Sequence, residues 1–213
     1  MINKPISYGR QYISDEDIQA VVDTLKSDYL TCGPAIPAFE KAFSEYVHCK
    51  YAVAVNNATS ALHLAAIALG VKPGDNVICT PMTFASSANC IRFCGGNVKF
   101  VDINPKTYLL DLDKLKETLE SAPKGTYKGM VLVDFAGYPH NMEEYRKVAD
   151  EYGMWILEDA CHAPGAYFID STGEKVFLCS GKILILLFSL FHPVKHITTG
   201  EGGMALSLKN QKQ

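Results

Sequence analysis

The sequence predicts an α/β fold of three layers, a mostly parallel sheet covered by helices on both faces. Three observations carry the prediction. Apolar runs of strand length alternate with segments whose apolar residues recur at helical spacing, the alternation that builds parallel sheets. No internal repeat, low-complexity tract or long linker interrupts it, so one main domain is expected across residues 1–213, opening with a helical segment over roughly residues 1–50. Finally, 213 residues with 48% apolar and 20% charged side chains can bury a full core and are too apolar for a disordered chain.

The elements follow in order. Ser14-Asp15-Glu16-Asp17 resembles a capping box, and Ile18, Val21, Val22 and Leu25 follow at helical spacing, which predicts a first amphipathic helix. Leu30-Thr31-Cys32-Gly33-Pro34 breaks that pattern. A second helix is expected from Pro37, with Phe39, Phe43 and Val47 on one face, then a short buried strand over 51–55. After Asn56-Asn57 turns the chain, a helix of small residues runs over 58–69, with Thr59-Ser60 as its capping residues. Strands are expected over 77–80, 98–101, 130–133 and 155–157, with helices over 86–93, 113–119 and 142–152 between them. Asn141, with Glu144 three residues on, is expected to cap the last of these helices. The apolar run 183–190 reads as a further buried strand, and 202–208 as the last strand of the domain.

Composition excludes several functions. Lys and Arg total 20 against 23 Asp and Glu, and the formal net charge of −3 offers no general attraction to nucleic acid or anionic membranes. Met1-Ile2-Asn3-Lys4-Pro5 lacks the apolar stretch of a secretion signal. The run 183–191 is far shorter than the ~20 residues that span a bilayer. A soluble cytoplasmic protein is expected. The 7 cysteines are odd in number and scattered, and Cys79, Cys90 and Cys94 fall inside strand or helix patterns, as reduced core residues do. Cys90 and Cys94 have no nearby His or Cys pair, so no metal site is expected.

Residues suited to chemistry gather at the strand ends, where parallel sheets keep their functional loops. Lys195 follows the apolar run 183–190 and precedes Gly200-Glu201-Gly202-Gly203. A lysine delivered there can lose hydration and act as an amine nucleophile; its alternative is a solvated loop charge. Asp159, in Glu158-Asp159-Ala160-Cys161-His162-Ala163, either meets the pyridine nitrogen of pyridoxal phosphate (PLP) or caps the next turn. His162 either bonds the phenolic oxygen of that cofactor or is an ordinary loop histidine. Ala58-Thr59-Ser60 opens a helix just after a strand and offers backbone N–H groups and hydroxyls to a phosphate, a role compatible with capping. Phe84, after Pro81-Met82-Thr83, either stacks on a pyridine face or joins the core. No G-x-G-x-x-G follows the first strand, which argues against a dinucleotide site.

In order and spacing, Leu30-Thr31-Cys32-Gly33-Pro34, Asn57-Ala58-Thr59-Ser60-Ala61-Leu62, Thr80-Pro81-Met82-Thr83-Phe84, Glu158-Asp159-Ala160-Cys161-His162-Ala163 and His192-Pro193-Val194-Lys195 with Gly200-Glu201-Gly202-Gly203 form five motifs. They resemble the fold-type I PLP-dependent aminotransferases of the DegT family, which act on nucleotide-linked 4-keto-6-deoxy sugars. The resemblance implies the large, PLP-binding domain of that fold. It implies that Lys195 is the Schiff-base lysine, that Asp159 pairs with the pyridine nitrogen and that His162 neighbours the phenolic oxygen. By the same resemblance Phe84 stacks on the ring, Ala58, Thr59 and Ser189 hold phosphate, and Thr31 and His192 contact substrate. Ile6-Ser7-Tyr8-Gly9-Arg10-Gln11, Val133-Asp134-Phe135-Ala136-Gly137 and the segment 191–197 look most like the UDP-4-amino-4,6-dideoxy-N-acetyl-altrosamine transaminases of pseudaminic acid synthesis. That implies a UDP-linked 4-keto-6-deoxy-N-acetylhexosamine as acceptor, glutamate as amino donor with 2-oxoglutarate as product, and a homodimer.

Two departures from the family pattern stand out. Residues 179–191, CSGKILILLFSLF, are more apolar than the family segment and one residue longer, which leaves the register of Ser189 open, since a one-residue slip reverses every face of a strand. Gln213 follows soon after the expected last strand, so most of the family's small C-terminal domain is expected to be missing. The alternative to an enzyme is therefore a non-catalytic remnant that binds PLP or dimerises.

Overall fold

The computed structural model describes residues 9–178 and 186–207, and of 186–190 the backbone only. Six α-helices, one short 3-10 turn (Phe135–Gly137) and nine strands are formed among the described residues. The helices are α1 (Asp15–Lys26), α2 (Ala35–Tyr46), α3 (Ala58–Ala68), α4 (Ser86–Phe93), α5 (Leu112–Glu120) and α6 (Met142–Tyr152). The strands are β1 (Tyr51–Val55), β2 (Asn76–Cys79), β3 (Asn97–Phe100), β4 (Tyr127–Val133), β5 (Trp155–Asp159), β6 (Tyr167–Ile169), β7 (Lys175–Phe177), β8 (Leu186–Leu190) and β9 (Gly203–Ser207).

Seven strands form one sheet in the order β1-β9-β8-β5-β4-β2-β3. The pairs from β8 through β5, β4 and β2 to β3 are parallel, and β9 runs antiparallel to both β8 and β1. Successive side chains of a strand point to opposite faces. Ile78, Met130, Leu132 and Ile156 therefore meet Phe43 of α2, Leu115 and Leu119 of α5, and Tyr145 and Val148 of α6 on one side. Val77, Cys79, Val131 and Leu157 meet Ala61, Leu62 and Ala65 of α3 and Cys90 and Ile91 of α4 on the other. The three-layer, mostly parallel sheet read from the sequence is the fold. Ile156 and Leu157 are fully buried on opposite faces. Each contributes about 1.5–3 kcal/mol by leaving water, so a register slip that exchanged them would also exchange Glu158 and Asp159 between the two faces.

Local details depart from the sequence reading in three places. The cap of α3 is Asn57, whose side-chain oxygen accepts from the Ser60 N–H at 2.8 Å, so Thr59 and Ser60 lie inside the helix. Asn141 makes no side-chain cap bond: its ψ of 84° falls short of the extended backbone, roughly beyond +100°, that aims a cap side chain at the first turn. The β6–β7 hairpin was not expected, because three-residue strands are too short for a periodicity to register. At the start of the chain the capping box of α1 forms, with Asp17 in the place of the usual glutamate. Its apolar residues Ile18, Val21 and Leu25 are 53–63% exposed, however, and no residue of α1 is buried. Of the expected strand 183–190, residues 183–185 lie outside the described residues.

Candidate active site

The strand order reverses between β2 and β4: from β2 the chain steps outward to β3, then returns to β4 and continues through β5 to β8. In open α/β sheets a crevice opens at the carboxyl ends of the strands on either side of such a reversal. Here that crevice is a cavity of about 580 Å³, lined from several loops by Thr59, Phe84, Asp159, His162, His192 and Lys195.

One wall is the start of α3. The first N–H groups of a helix have no carbonyl partner within it, and the helix dipole adds partial positive charge there. Asn57 caps Ser60, which leaves the N–H groups of Ala58 and Thr59 at the cavity wall. The Thr59 hydroxyl donates to Ser86 Oγ at 3.1 Å, tying the start of α3 to the start of α4. Gly203 of β9 lies directly behind: a Cβ there would stand 2.5 Å from the Asn57 carbonyl carbon and 2.7 Å from the Ala58 nitrogen. Only glycine lets β9 approach the helix start so closely. Backbone donors with two hydroxyls beside them form a cradle for a phosphate.

Asp159, 6% exposed, ends β5 on the α3–α4 side. The Ser87 hydroxyl donates to its Oδ2 at 2.7 Å, and the Cys161 N–H donates to its Oδ1 at 3.2 Å. Ser87 has one proton, and the nearer carboxylate takes it in preference to the Phe84 carbonyl at 3.3 Å. Thr83 then donates to Ser87 at 2.6 Å, completing a relay from the β2 loop to Asp159. Cys161 is buried, and its thiol is pushed well above the usual range by burial and the neighbouring Asp159 charge. It is a packing residue in its neutral form.

His162 is half-buried, and Ala136 donates its N–H to Nδ1 at 3.2 Å. With Nδ1 accepting, the neutral ring carries its proton on Nε2 and offers a donor. Burial first, and then the Lys195 charge, hold His162 below its ordinary range, which preserves that neutral form. The loop beneath is tight: Ala136 sits at φ 55°, Gly137 at φ 82°, and a Cβ on Gly137 would meet the His162 carbonyl oxygen at 2.8 Å.

Lys195 is half-buried in a turn closed by its own N–H donating to the His192 carbonyl at 2.8 Å. Phe191 anchors that turn. It is 1% exposed, meets Phe39 and Phe43 edge-on at 5.2 Å each, and its carbonyl accepts from Thr198 and Thr199 at 3.0 Å. Phe84 lines the cavity while 78% exposed, as a rim residue rather than a core one.

Of the residues singled out in the sequence, Ala58, Thr59, Phe84, Asp159, His162, His192 and Lys195 meet at this cavity. Thr31 does not line it; it sits exposed between α1 and α2, its hydroxyl beside Cys32 Sγ at 3.6 Å. Ser189 lies in β8, its backbone paired with Met204, and its side chain lies outside the described residues. Ser86, Ser87 and Cys161 were not singled out. Two adjacent serines opening a helix that follows a strand loop are the one local signal that points to the first two. Among the described residues no group of His, Cys, Asp and Glu is arranged to hold a metal, and no helix is long and apolar enough to cross a membrane. An amine, a buried carboxylate, an imidazole donor and a helix start with hydroxyls fit a phosphorylated pyridine aldehyde, each polar group of that molecule having one partner of suitable chemistry.

Comparison with known proteins gives a consistent picture. The sequence pattern of the DegT/DnrJ/EryC1/StrS aminotransferase family matches residues 11–212. The chain is 39% identical, over 203 residues, to a UDP-4-amino-4,6-dideoxy-N-acetyl-beta-L-altrosamine transaminase of Campylobacter jejuni, covering 95% of this chain and 51% of that protein. Among solved structures it resembles the PLP form of Spr1654 from Streptococcus pneumoniae, with a TM-score of 0.83 at 31% identity over 96% of this chain and 53% of that one. It also resembles Helicobacter pylori PseC, an aminotransferase involved in pseudaminic acid biosynthesis, with a TM-score of 0.84 at 28% identity over 98% of this chain and 53% of that one. The chain spans about half the length of the curated relatives it matches.

Proposed function

The chain belongs to the DegT/DnrJ/EryC1/StrS aminotransferase family, whose cofactor is pyridoxal phosphate, and from that premise we propose that it moves an amino group from glutamate to the C4 ketone of a UDP-linked 4-keto-6-deoxy-N-acetylhexosamine. The observation that carries this reading is the convergence of Lys195, Asp159, His162 and the start of α3 on one cavity. The transaminase named among its relatives supports the choice of sugar.

When bound, PLP supplies an electron sink for the carbon that bears the migrating amino group. The chain's own residues do the rest. The N–H groups of Ala58 and Thr59, with the hydroxyls of Thr59 and Ser86, would hold the phosphate. Asp159 would hold a proton on the pyridine nitrogen, its carboxylate aimed by Ser87. His162 would donate its Nε2–H to the phenolic oxygen, and Phe84 would cover one face of the ring and exclude water. Lys195 would tether the cofactor through Nζ and, once displaced by the amino donor, carry the proton from the donor's α-carbon. The same amine returns a proton to C4 of the sugar. His192 would stand on the substrate side of the cavity.

The same reading takes the chain as a homodimer in which a second copy covers the exposed apolar stripe of α1; sedimentation at micromolar concentration should give twice the monomer mass, and a monomer would contradict it. The test of function is a pair of single-turnover experiments. Glutamate should convert protein loaded with PLP to the aminated form of the cofactor, and the 4-keto sugar nucleotide should restore the starting spectrum while gaining an amine detectable by mass. Loaded protein that responds to neither would be a cofactor-binding unit, and the aminotransferase reading would fall.

A further inference from the structure

Behind the cavity, on the opposite face of the sheet, lies a group of buried polar side chains that the proposed reaction does not use. Glu158 is 1% exposed, and Asp134 and His140 are fully buried. Asp134 Oδ1 accepts two bonds from His140, from its backbone N–H at 3.1 Å and its Nδ1–H at 2.9 Å. Asp134 Oδ2 and Glu158 Oε1 have no hydrogen-bond partner among the described residues, and the β4–β5 register, with Leu132 opposite Glu158 and Val133 opposite Asp159, sets the two carboxyl groups side by side at neighbouring strand ends. Two buried carboxylates so placed, each with an orphaned oxygen, are strongly unfavourable. One proton removes the conflict. Asp134 already accepts two N–H bonds, which favour its charged form, so the proton belongs on Glu158.

The cluster reaches the cavity through the loop that Asp134 begins. The Asp134 N–H donates to the Asp159 carbonyl at 3.1 Å, and two residues on, the Ala136 N–H fixes His162 Nδ1. We propose that Glu158 is a buried neutral donor to Asp134, a positioning residue that holds the loop 134–137 and so sets the tautomer and orientation of His162. This role rests on the reading of His162 as a cofactor-facing residue, but the proton on Glu158 does not.

Burial first, then the Asp134 charge, push Glu158 well above its ordinary value of 4.5, which agrees with the geometry. The other titratable groups around it are Asp159 next in sequence, His140, and Tyr145 of α6, whose hydroxyl donates to the Leu110 carbonyl and whose ring meets that of His140. For an acid with a raised folded value the sign is fixed: stability is fullest below 4.5 and declines as pH rises from there through the folded value.

The experiment compares the 213-residue protein with Glu158→Gln, which keeps a donor but cannot ionise, and Glu158→Leu, which keeps neither. With carboxyl-¹³C glutamate, the protein should show one glutamate carboxyl still protonated at neutral pH, and Glu158→Gln should remove that signal. In urea unfolding, Glu158→Gln should flatten the decline of stability with rising pH. In ¹⁵N spectra of the histidine rings, Glu158→Gln should leave the His162 tautomer unchanged, whereas Glu158→Leu should mix the two tautomers and move the His162 midpoint up, towards about 6.5. A Glu158 carboxyl that titrates in the ordinary range, or an unaltered pH slope in Glu158→Gln, overturns the neutral-donor assignment. An unmoved His162 in folded Glu158→Leu overturns the positioning role; if that variant does not fold, Glu158→Asp, which shortens the reach to Asp134, replaces it for the same readout. None of these measurements needs cofactor, so a failed cofactor reading and a failed proton assignment are told apart.

Discussion

Replacing Ser87 by alanine removes the hydroxyl that aims Asp159, and the structure sets the size of the effect. The bond is 2.7 Å long, Ser87 is fully buried and Asp159 is 6% exposed, so little water can replace the lost donor. Hydrogen bonds to charged groups contribute about 1.5–3 kcal/mol, against about 1 kcal/mol between neutral groups. Ser87→Ala should therefore cost about 1.5–3 kcal/mol, whereas the same change made beside Asp159→Asn should cost only about 1 kcal/mol. Urea unfolding of the parent, the two single variants and the double variant measures the difference, a coupling of roughly 0.5–2 kcal/mol. A cofactor titration of Ser87→Ala should show weaker binding as well, because a loosened Asp159 no longer meets the ring nitrogen without reorganisation. Additivity of the two substitutions to within about 0.3–0.5 kcal/mol would refute the reasoning, since uncoupled sites add to that precision.

Other consequences follow from the same geometry. Phe191→Ala should destabilise the fold by about 3–5 kcal/mol by opening a cavity beside Phe39 and Phe43, and should weaken reactions at Lys195 in the protein that remains folded; a loss under about 1 kcal/mol in urea unfolding would show that the turn is anchored elsewhere. Gly203→Ala drives a Cβ against the Asn57–Ala58 backbone, so it should cost about 1–3 kcal/mol and lower affinity for inorganic phosphate, with wild-type phosphate affinity by calorimetry contradicting the cradle. His162 is held below its ordinary value of 6.5, chiefly by burial. The folded state therefore resists its protonation, and stability should be lost as pH falls from 6.5 towards the folded midpoint. A ring signal of His162 titrating above 6.5 would reverse that sign.

Much of the framework was legible because it is written locally. The strands β2, β3, β4 and β5 fall within a few residues of the apolar runs that announce them, and their alternation with helices dictates layers on both faces. The gathering of Asp159, His162 and Lys195 at one edge was legible for a related reason: each ends or follows a strand in a short motif, and the parallel sheet brings such loops to one edge. What was not legible depends on partners far along the chain. Ser87 serves Asp159 across 72 residues, and no local pattern marks the pairing. Asp134 and His140 are six residues apart but acquire their meaning only when β5 sets Glu158 beside them. The apolar stripe of α1 was read correctly as a helix face, yet periodicity says nothing of what covers it, and among the described residues nothing does. Thr31 was selected by motif alone, and the loop that bears it stands exposed and clear of the cavity lining. The expectation for Asn141 failed on a backbone angle that no residue type dictates.

The central claim is that this cavity holds PLP with Lys195 as its covalent anchor. The measurement that tests it most directly is an absorbance spectrum of the purified protein with PLP, followed by borohydride reduction and peptide mass mapping. The account predicts a yellow species and a reduced pyridoxyl group on the peptide that contains Lys195, absent from Lys195→Ala. Folded protein that carries no such group, or carries it on another lysine, would contradict the account.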